Sequence, residues 1–142
     1  MSAYADTSFL ASLYLPDAKS AEVSILMQRI ELPMLLSSFG ELELENAMQL
    51  RVFRNQALPR ELREARAAFH ADVRNRVFVM TPLPDGIYSQ SKSLASAWTA
   101  KLGTRVLDII HVASALALQA DVFYTFDGRQ ARLARAVGLR IA

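Results

Sequence analysis

Cysteine is absent from this chain of 142 residues, and histidine occurs only twice, at His70 and His111. The first absence excludes disulfide scaffolds, thiolate zinc sites, iron–sulfur clusters and cysteine nucleophiles. The second excludes a histidine-rich metal site and disfavours acid–base chemistry by imidazole. Glycine and proline number five each, too few for a low-complexity or disordered chain. The glycines are scattered, and neither a dinucleotide fingerprint, a P-loop nor a G-x-S-x-G elbow occurs. No uninterrupted apolar run approaches the ~18 residues that a membrane span needs. The start, Met1-Ser2-Ala3-Tyr4-Ala5-Asp6, has no basic region followed by an apolar stretch, so no secretory signal is visible and the expected compartment is the cytoplasm.

What is present is a 52% hydrophobic chain, enough for one domain with a real core and tight for two. Residues 1–142 read as a single domain. The net charge is only +2, yet 13 of the 16 basic residues are arginine, the better fork for phosphate and carboxylate. Arg129, Arg132, Arg135 and Arg140 cluster near the end, which permits a nucleic-acid partner without requiring one.

Strand-like and helix-like segments alternate. Ala3–Ala5 reads as a short strand, and Asp6-Thr7-Ser8 offers three N-cap residues before a helix that Pro16 stops. A second helix, about 18–30, ends before Pro33. Met34–Leu36 reads as a buried strand, with Ser37 and Ser38 as caps for a third helix, about 39–55. That helix is apolar around much of its circumference and is expected to be largely buried. A helix opened by Pro59, a strand at 77–80 and a helix at about 85–101 follow. Leu107–Leu118 is almost wholly apolar and reads as a buried core helix. Val122–Thr125 is a fourth strand, Asp127-Gly128 starts the next helix, and Leu139–Ile141 is a short final strand. This order predicts an α/β fold with a central parallel sheet of four to five short strands flanked by helices on both faces.

With thiol chemistry excluded and imidazole chemistry disfavoured, carboxylates remain. Asp6 follows the first strand and Asp127 closely follows the fourth, at the strand ends where open parallel sheets bind ligands. Asp108 sits in the first turn of the most apolar helix, where a lone carboxylate is costly unless it is paired or bound to metal. Arg105 is its candidate partner, and His111 lies one turn on. The third helix offers Glu41, Glu43 and Glu45. Glu43 points away from the other two, and periodicity does not choose between the two faces. Each acid also has an ordinary structural use, as a cap, a turn residue or a surface charge.

The segments Y-A-D-T-S-F-L, E-L-E-L-E-N-A-M, R-V-L-D-I-I-H-V-A-S-A-L and F-Y-T-F-D-G-R-Q, in this order, resemble the PIN-domain family, and more narrowly its VapC-type toxins. The resemblance implies a PIN-like fold and a Mg²⁺- or Mn²⁺-dependent endoribonuclease, the toxin of a toxin–antitoxin pair. It places the family's acidic quartet on Asp6, Glu43, Asp108 and Asp127, with Asp6, Asp108 and Asp127 as metal residues. Glu43 is chosen over Glu41 and Glu45 because Ala47 follows it by four. Thr7, Ser8 and Thr125 match small hydroxyl positions beside the acids, and His111 fits some relatives. Arg105, Arg129 and Arg132 become candidate contacts to single-stranded or looped RNA. A VapB-type antitoxin and a homodimer are the implied partners. Two other classes are a non-catalytic PIN-like RNA-binding module, which would need no metal, and a receiver-like signalling domain. Against the receiver, Asp6 has no acidic neighbour and no lysine lies beyond Lys101.

Overall fold

The computed structural model describes residues 1–142. Five strands form one sheet in the order β3-β2-β1-β4-β5: β1 (Ala3–Ala5), β2 (Met34–Ser37), β3 (Phe78–Thr81), β4 (Val122–Tyr124) and β5 (Arg140–Ile141). Every pairing is parallel, with Tyr4 opposite Leu35 on one side and opposite Phe123 on the other. The helices between them are α1 (Thr7–Tyr14), α2 (Ser20–Met27), α3 (Ser38–Phe53), α4 (Pro59–Arg74), α5 (Ile87–Leu94), α6 (Ala100–Leu102), α7 (Val106–Ala117) and α8 (Gly128–Ala136). The predicted α/β class and parallel sheet are what the chain adopts.

Side chains alternate across a strand, and the central strands use both faces. Ala3 and Ala5 join Phe9, Met34, Leu36, Leu44, Met48, Phe69 and Phe78 in a core of 15 buried residues beneath α1 to α4. Tyr4 points the other way, into a core of nine with Ile109, Val112, Phe123 and Leu133 beneath α7 and α8. Both strand neighbours of β1 are reached by crossovers, but in opposite directions. The chain therefore reverses its winding between β1 and β4, which opens a crevice at their carboxyl ends.

The expectation of a largely buried α3 is corrected. Only Gly40, Leu44 and Met48 are buried on it, a stripe four residues apart that meets α1 and α4. Leu42 and Phe53 are 67% and 82% exposed. Apolar composition around a helix does not force burial when a two-helix contact uses one stripe. The helix expected at about 85–101 runs as α5, a π-turn at Ala95–Thr99 and α6. Gly103 ends it with φ +65°, the left-handed conformation that glycine adopts without a Cβ penalty. No helix is long and apolar enough to cross a membrane.

Two phenols are locked into this framework. Tyr4 is fully buried, and Tyr14 donates to Asp72 Oδ2 at 2.5 Å while packing edge-on against Phe69. Burial pushes both hydroxyls well above their ordinary value of 10.0, and the Asp72 carboxylate adds to the rise at Tyr14. An unfolded chain releases these protons first. Their contribution to stability is therefore intact below pH 10 and is lost as pH rises through the ordinary tyrosine value toward the folded ones. Tyrosinate absorbance and circular dichroism followed together should show part of the tyrosine signal appearing only with unfolding. Titration of all four tyrosines before any loss of structure would refute the buried assignment.

Candidate active site

Asp6 extends β1 by one residue: its N–H donates to the Tyr124 carbonyl at 3.1 Å. It is also the N-cap of α1, fully buried. Oδ1 accepts from the Phe9 N–H at 3.0 Å and from Ser8 Oγ at 2.7 Å, and Oδ2 accepts from Thr125 Oγ1 at 2.5 Å. Burial raises the Asp6 carboxyl above its ordinary range, and His111 and these three donors oppose that rise. Asp6 has no arginine or lysine partner. A capping role alone does not require this charge, because serine or threonine caps a helix without one.

Thr125 ties Asp6 to the next acid. Its Oγ1 donates to Asp6 and accepts the Asp127 N–H at 2.9 Å. Asp127 caps α8 through Oδ1, which accepts from the N–H groups of Arg129 and Gln130 at 2.8 and 3.3 Å. Ser8 closes the same loop by accepting the Phe126 N–H at 2.9 Å. The hydroxyls of Ser8 and Thr125 are thus committed to Asp6. Beside the acids, as the resemblance implies, they fix a carboxylate in place.

On the other side of β1, Ser37 ends β2 and caps α3 by accepting the Gly40 N–H at 3.2 Å. One turn into α3, Glu43 turns toward α1 and α7. Its Oε1 accepts from Thr7 Oγ1 at 2.9 Å and makes a short contact with His111 Nε2. His111 is fully buried, its ring tilted against Phe39 and its Nδ1 2.9 Å from the Tyr4 hydroxyl. Asp108, one turn earlier on α7, is buried, and its Oδ2 accepts the Arg105 N–H at 3.0 Å. The expected Asp108–Arg105 ion pair is corrected. The backbone amide of Arg105 makes the contact, and its side chain stands exposed.

Geometry separates the three glutamates of α3. Glu45 pairs with Arg66 and Gln49, and Glu41 lies 4.0 Å from His70. Both line a cavity of about 250 Å³ between α3 and α4, away from Asp6. Arg129, Arg132 and Arg135 are exposed on α8, and none forms an ion pair. Tyr4 escaped the sequence reading as a site residue, and Ser37 entered it only as a helix cap, which it is. The available signal was a single phenol between two alanines in an otherwise buried strand, since a buried tyrosine hydroxyl needs a partner.

The donor chemistry here suits a hard cation. The oxygens Glu43 Oε2, Asp108 Oδ1 and Asp127 Oδ2 carry no hydrogen bond, each partner on those residues being the other oxygen. No three acidic or histidine side chains converge tightly enough to hold one ion by themselves. Mg²⁺ ordinarily takes one or two carboxylates together with waters and substrate phosphate.

Comparison with solved structures returned close fold matches of low identity. VapC20 from Mycobacterium tuberculosis, described as a sarcin-ricin-loop-cleaving toxin, matches with TM-score 0.73 and 20% identity over 97% of this chain and 96% of that one. FitAcB from Neisseria gonorrhoeae matches with TM-score 0.68 and 14% identity over 98% and 95%. VapBC2 from Rickettsia felis, bound to a DNA fragment from its promoter, matches with TM-score 0.66 and 13% identity over 100% and 98%. Comparison with curated proteins gave no significant match. The family model described as PIN domain matches residues 3–136, and on that match the chain belongs to the PIN-domain family.

Proposed function

We propose that this protein is a divalent-metal-dependent endoribonuclease and the toxin of a toxin–antitoxin pair. The observation that carries the reading is Asp6, a fully buried carboxylate without an ion-pair partner at the crevice end of the central strand. Burying such a charge is costly. The cost is relieved when a cation binds. Family membership and the likeness to VapC20, itself described as a sarcin-ricin-loop-cleaving toxin, support the same reading.

In this reading Asp6 and Asp108 are the direct ligands of Mg²⁺ or Mn²⁺, and Asp127 and Glu43 complete the catalytic quartet by holding waters or a second cation. When bound, such a cation lowers the pKa of water and offsets charge on the phosphodiester. The chain supplies the rest. Three donors keep Asp6 in place without reorganisation. Glu43 Oε2 and Asp127 Oδ2 are free to accept protons from attacking water. No covalent enzyme intermediate is needed, in keeping with the absent cysteine. Arg105, Arg129 and Arg132, exposed and unpaired, contact the backbone of looped or single-stranded RNA, whose bases can be splayed out.

A VapB-type antitoxin and a second copy of the chain are the proposed protein partners, and the cytoplasm is the proposed site of action. The exposed Leu42, Phe53 and Leu58 give a protein partner apolar surface to cover. Incubation of the antitoxin-free protein with bulk RNA tests the chemistry: cleavage should occur with Mg²⁺ or Mn²⁺ and stop in EDTA. Cleavage that survives EDTA would sink the metal mechanism. RNA binding with no cleavage under any metal would instead assign a non-catalytic binding module.

A further inference from the structure

Glu43 is an α3 side chain whose carboxylate is held by groups from other elements, and those groups are themselves connected. The Gly40 N–H donates to Ser37 Oγ at 3.2 Å, Ser37 Oγ lies 3.2 Å from the Tyr4 hydroxyl, and that hydroxyl lies 2.9 Å from His111 Nδ1. His111 Nε2 then meets Glu43 Oε1, which also accepts from Thr7. The two ends of this series have fixed polarity. A backbone N–H can only donate, and an ionised carboxylate can only accept. Between them the neutral ring admits one assignment. Ser37 accepts from Gly40 and donates to Tyr4, Tyr4 donates to Nδ1, and the imidazole keeps its proton on Nε2, facing Glu43. Reversing the Tyr4–His111 bond moves the ring proton to Nδ1 and sets the Nε2 lone pair against the Glu43 carboxylate, which has no proton to give.

We propose that Ser37, Tyr4 and His111 form a directional hydrogen-bond relay that positions Glu43 for metal binding. Tyr4 is then a positioning residue that never touches the cation. It fixes the tautomer of His111, and the tautomer decides whether His111 presents a donor or a lone pair to Glu43. Tyr4 is suited to this role because its ring is clamped, stacked on Phe123 at 5.6 Å with an interplanar angle of 10°. Strand pairing on both sides fixes its backbone. The inference rests on the reading of Glu43 as an acid of a metal-dependent nuclease, and it adds the side chains that aim it.

The test pairs a spectroscopic readout with a binding one. Long-range ¹H–¹⁵N spectra of histidine-labelled protein report the tautomer, and exposed His70 serves as an internal reference. Mn²⁺ affinity is measured by calorimetry on the same metal-stripped protein. Wild type should show His111 protonated on Nε2. Tyr4→Phe, which keeps the stacked ring, should shift the population toward Nδ1–H and weaken Mn²⁺ binding by roughly tenfold or more, the usual cost of losing an outer-shell partner. In His111→Gln the amide replaces the Nε2 donor and needs nothing from Tyr4, so adding Tyr4→Phe should not weaken binding further.

Three outcomes would overturn the relay. The first is a wild-type His111 protonated on Nδ1. The second is a Tyr4→Phe variant that binds Mn²⁺ like wild type. The third is a Tyr4→Phe change that weakens binding equally with and without His111→Gln. A wild-type protein that binds no Mn²⁺ at all sinks the nuclease reading itself, which separates that failure from failure of the relay.

Discussion

Asp6→Asn should abolish metal-dependent RNA cleavage while raising the melting temperature of the metal-free protein at neutral pH. The loss should exceed the 10- to 100-fold, approximately, that removing an outer-shell partner of a metal costs. The gain in stability follows from the direction of the Asp6 shift. Its carboxyl is raised above the ordinary value of 3.8 by burial, so the folded chain binds this proton more tightly than the unfolded one. The native state is then least penalised below the ordinary carboxylate value, and it loses stability as pH rises through the folded value. Asparagine carries no charge to desolvate, yet caps a helix as well as aspartate. Its amide oxygen can keep the Phe9 and Ser8 contacts of Oδ1 while the Thr125 hydroxyl turns. The melting advantage should therefore widen from acidic to neutral pH and shrink toward zero in acid. Melts of metal-free wild type and variant across that range, with cleavage assays on the same samples, decide it. A variant that melts lower at neutral pH and still cleaves RNA would reduce Asp6 to a helix cap.

Much of this arrangement was readable from residues alone because local signals and global placement agree. Alternating strand and helix signals give the parallel sheet, and Pro16, Pro59 and Gly103 mark element ends that the fold respects. Asp6 and Asp127 were placed at strand ends by counting residues, and both cap the helices that follow. Three features were not readable, each for a physical reason. Phe53 and Leu42 look like core in a helical wheel, but burial depends on how many neighbours the helix has, which is a tertiary fact. Arg105 looked like a charge partner for Asp108, since sequence spacing cannot distinguish a guanidinium contact from the backbone amide of the same residue. Tyr4 lies in a segment, Ala3–Ala5, that reads only as a short strand. The partners of its hydroxyl, Ser37 and His111, lie 33 and 107 residues away, beyond any local pattern.

The glutamates of α3 carry the other large effect. Glu43 projects about 160° from Glu41 and Glu45 around the helix axis, and its carboxylate meets Thr7 and His111. The other two face α4, where Arg66 holds the Glu45 carboxyl below its ordinary range with help from Gln49. Glu43→Gln should therefore cut cleavage by about a hundredfold or more, as general acid–base and orienting groups typically contribute. Glu41→Gln and Glu45→Gln should cleave RNA like wild type. Stability should follow a different order. Glu45→Gln loses half of a solvent-exposed ion pair with Arg66, so its melting temperature should fall only slightly. Because Glu45 is lowered, that contribution is present above the ordinary carboxylate value and fades as pH falls through the folded one. Parallel kinetics and melts on the three variants separate the roles. If Glu43→Gln cleaves like wild type while Glu41→Gln or Glu45→Gln does not, the site lies on the α4 side of the helix. If all three cleave normally, the chemistry belongs to Asp6, Asp108 and Asp127, and the contact between Glu43 and His111 only braces α3 against α7.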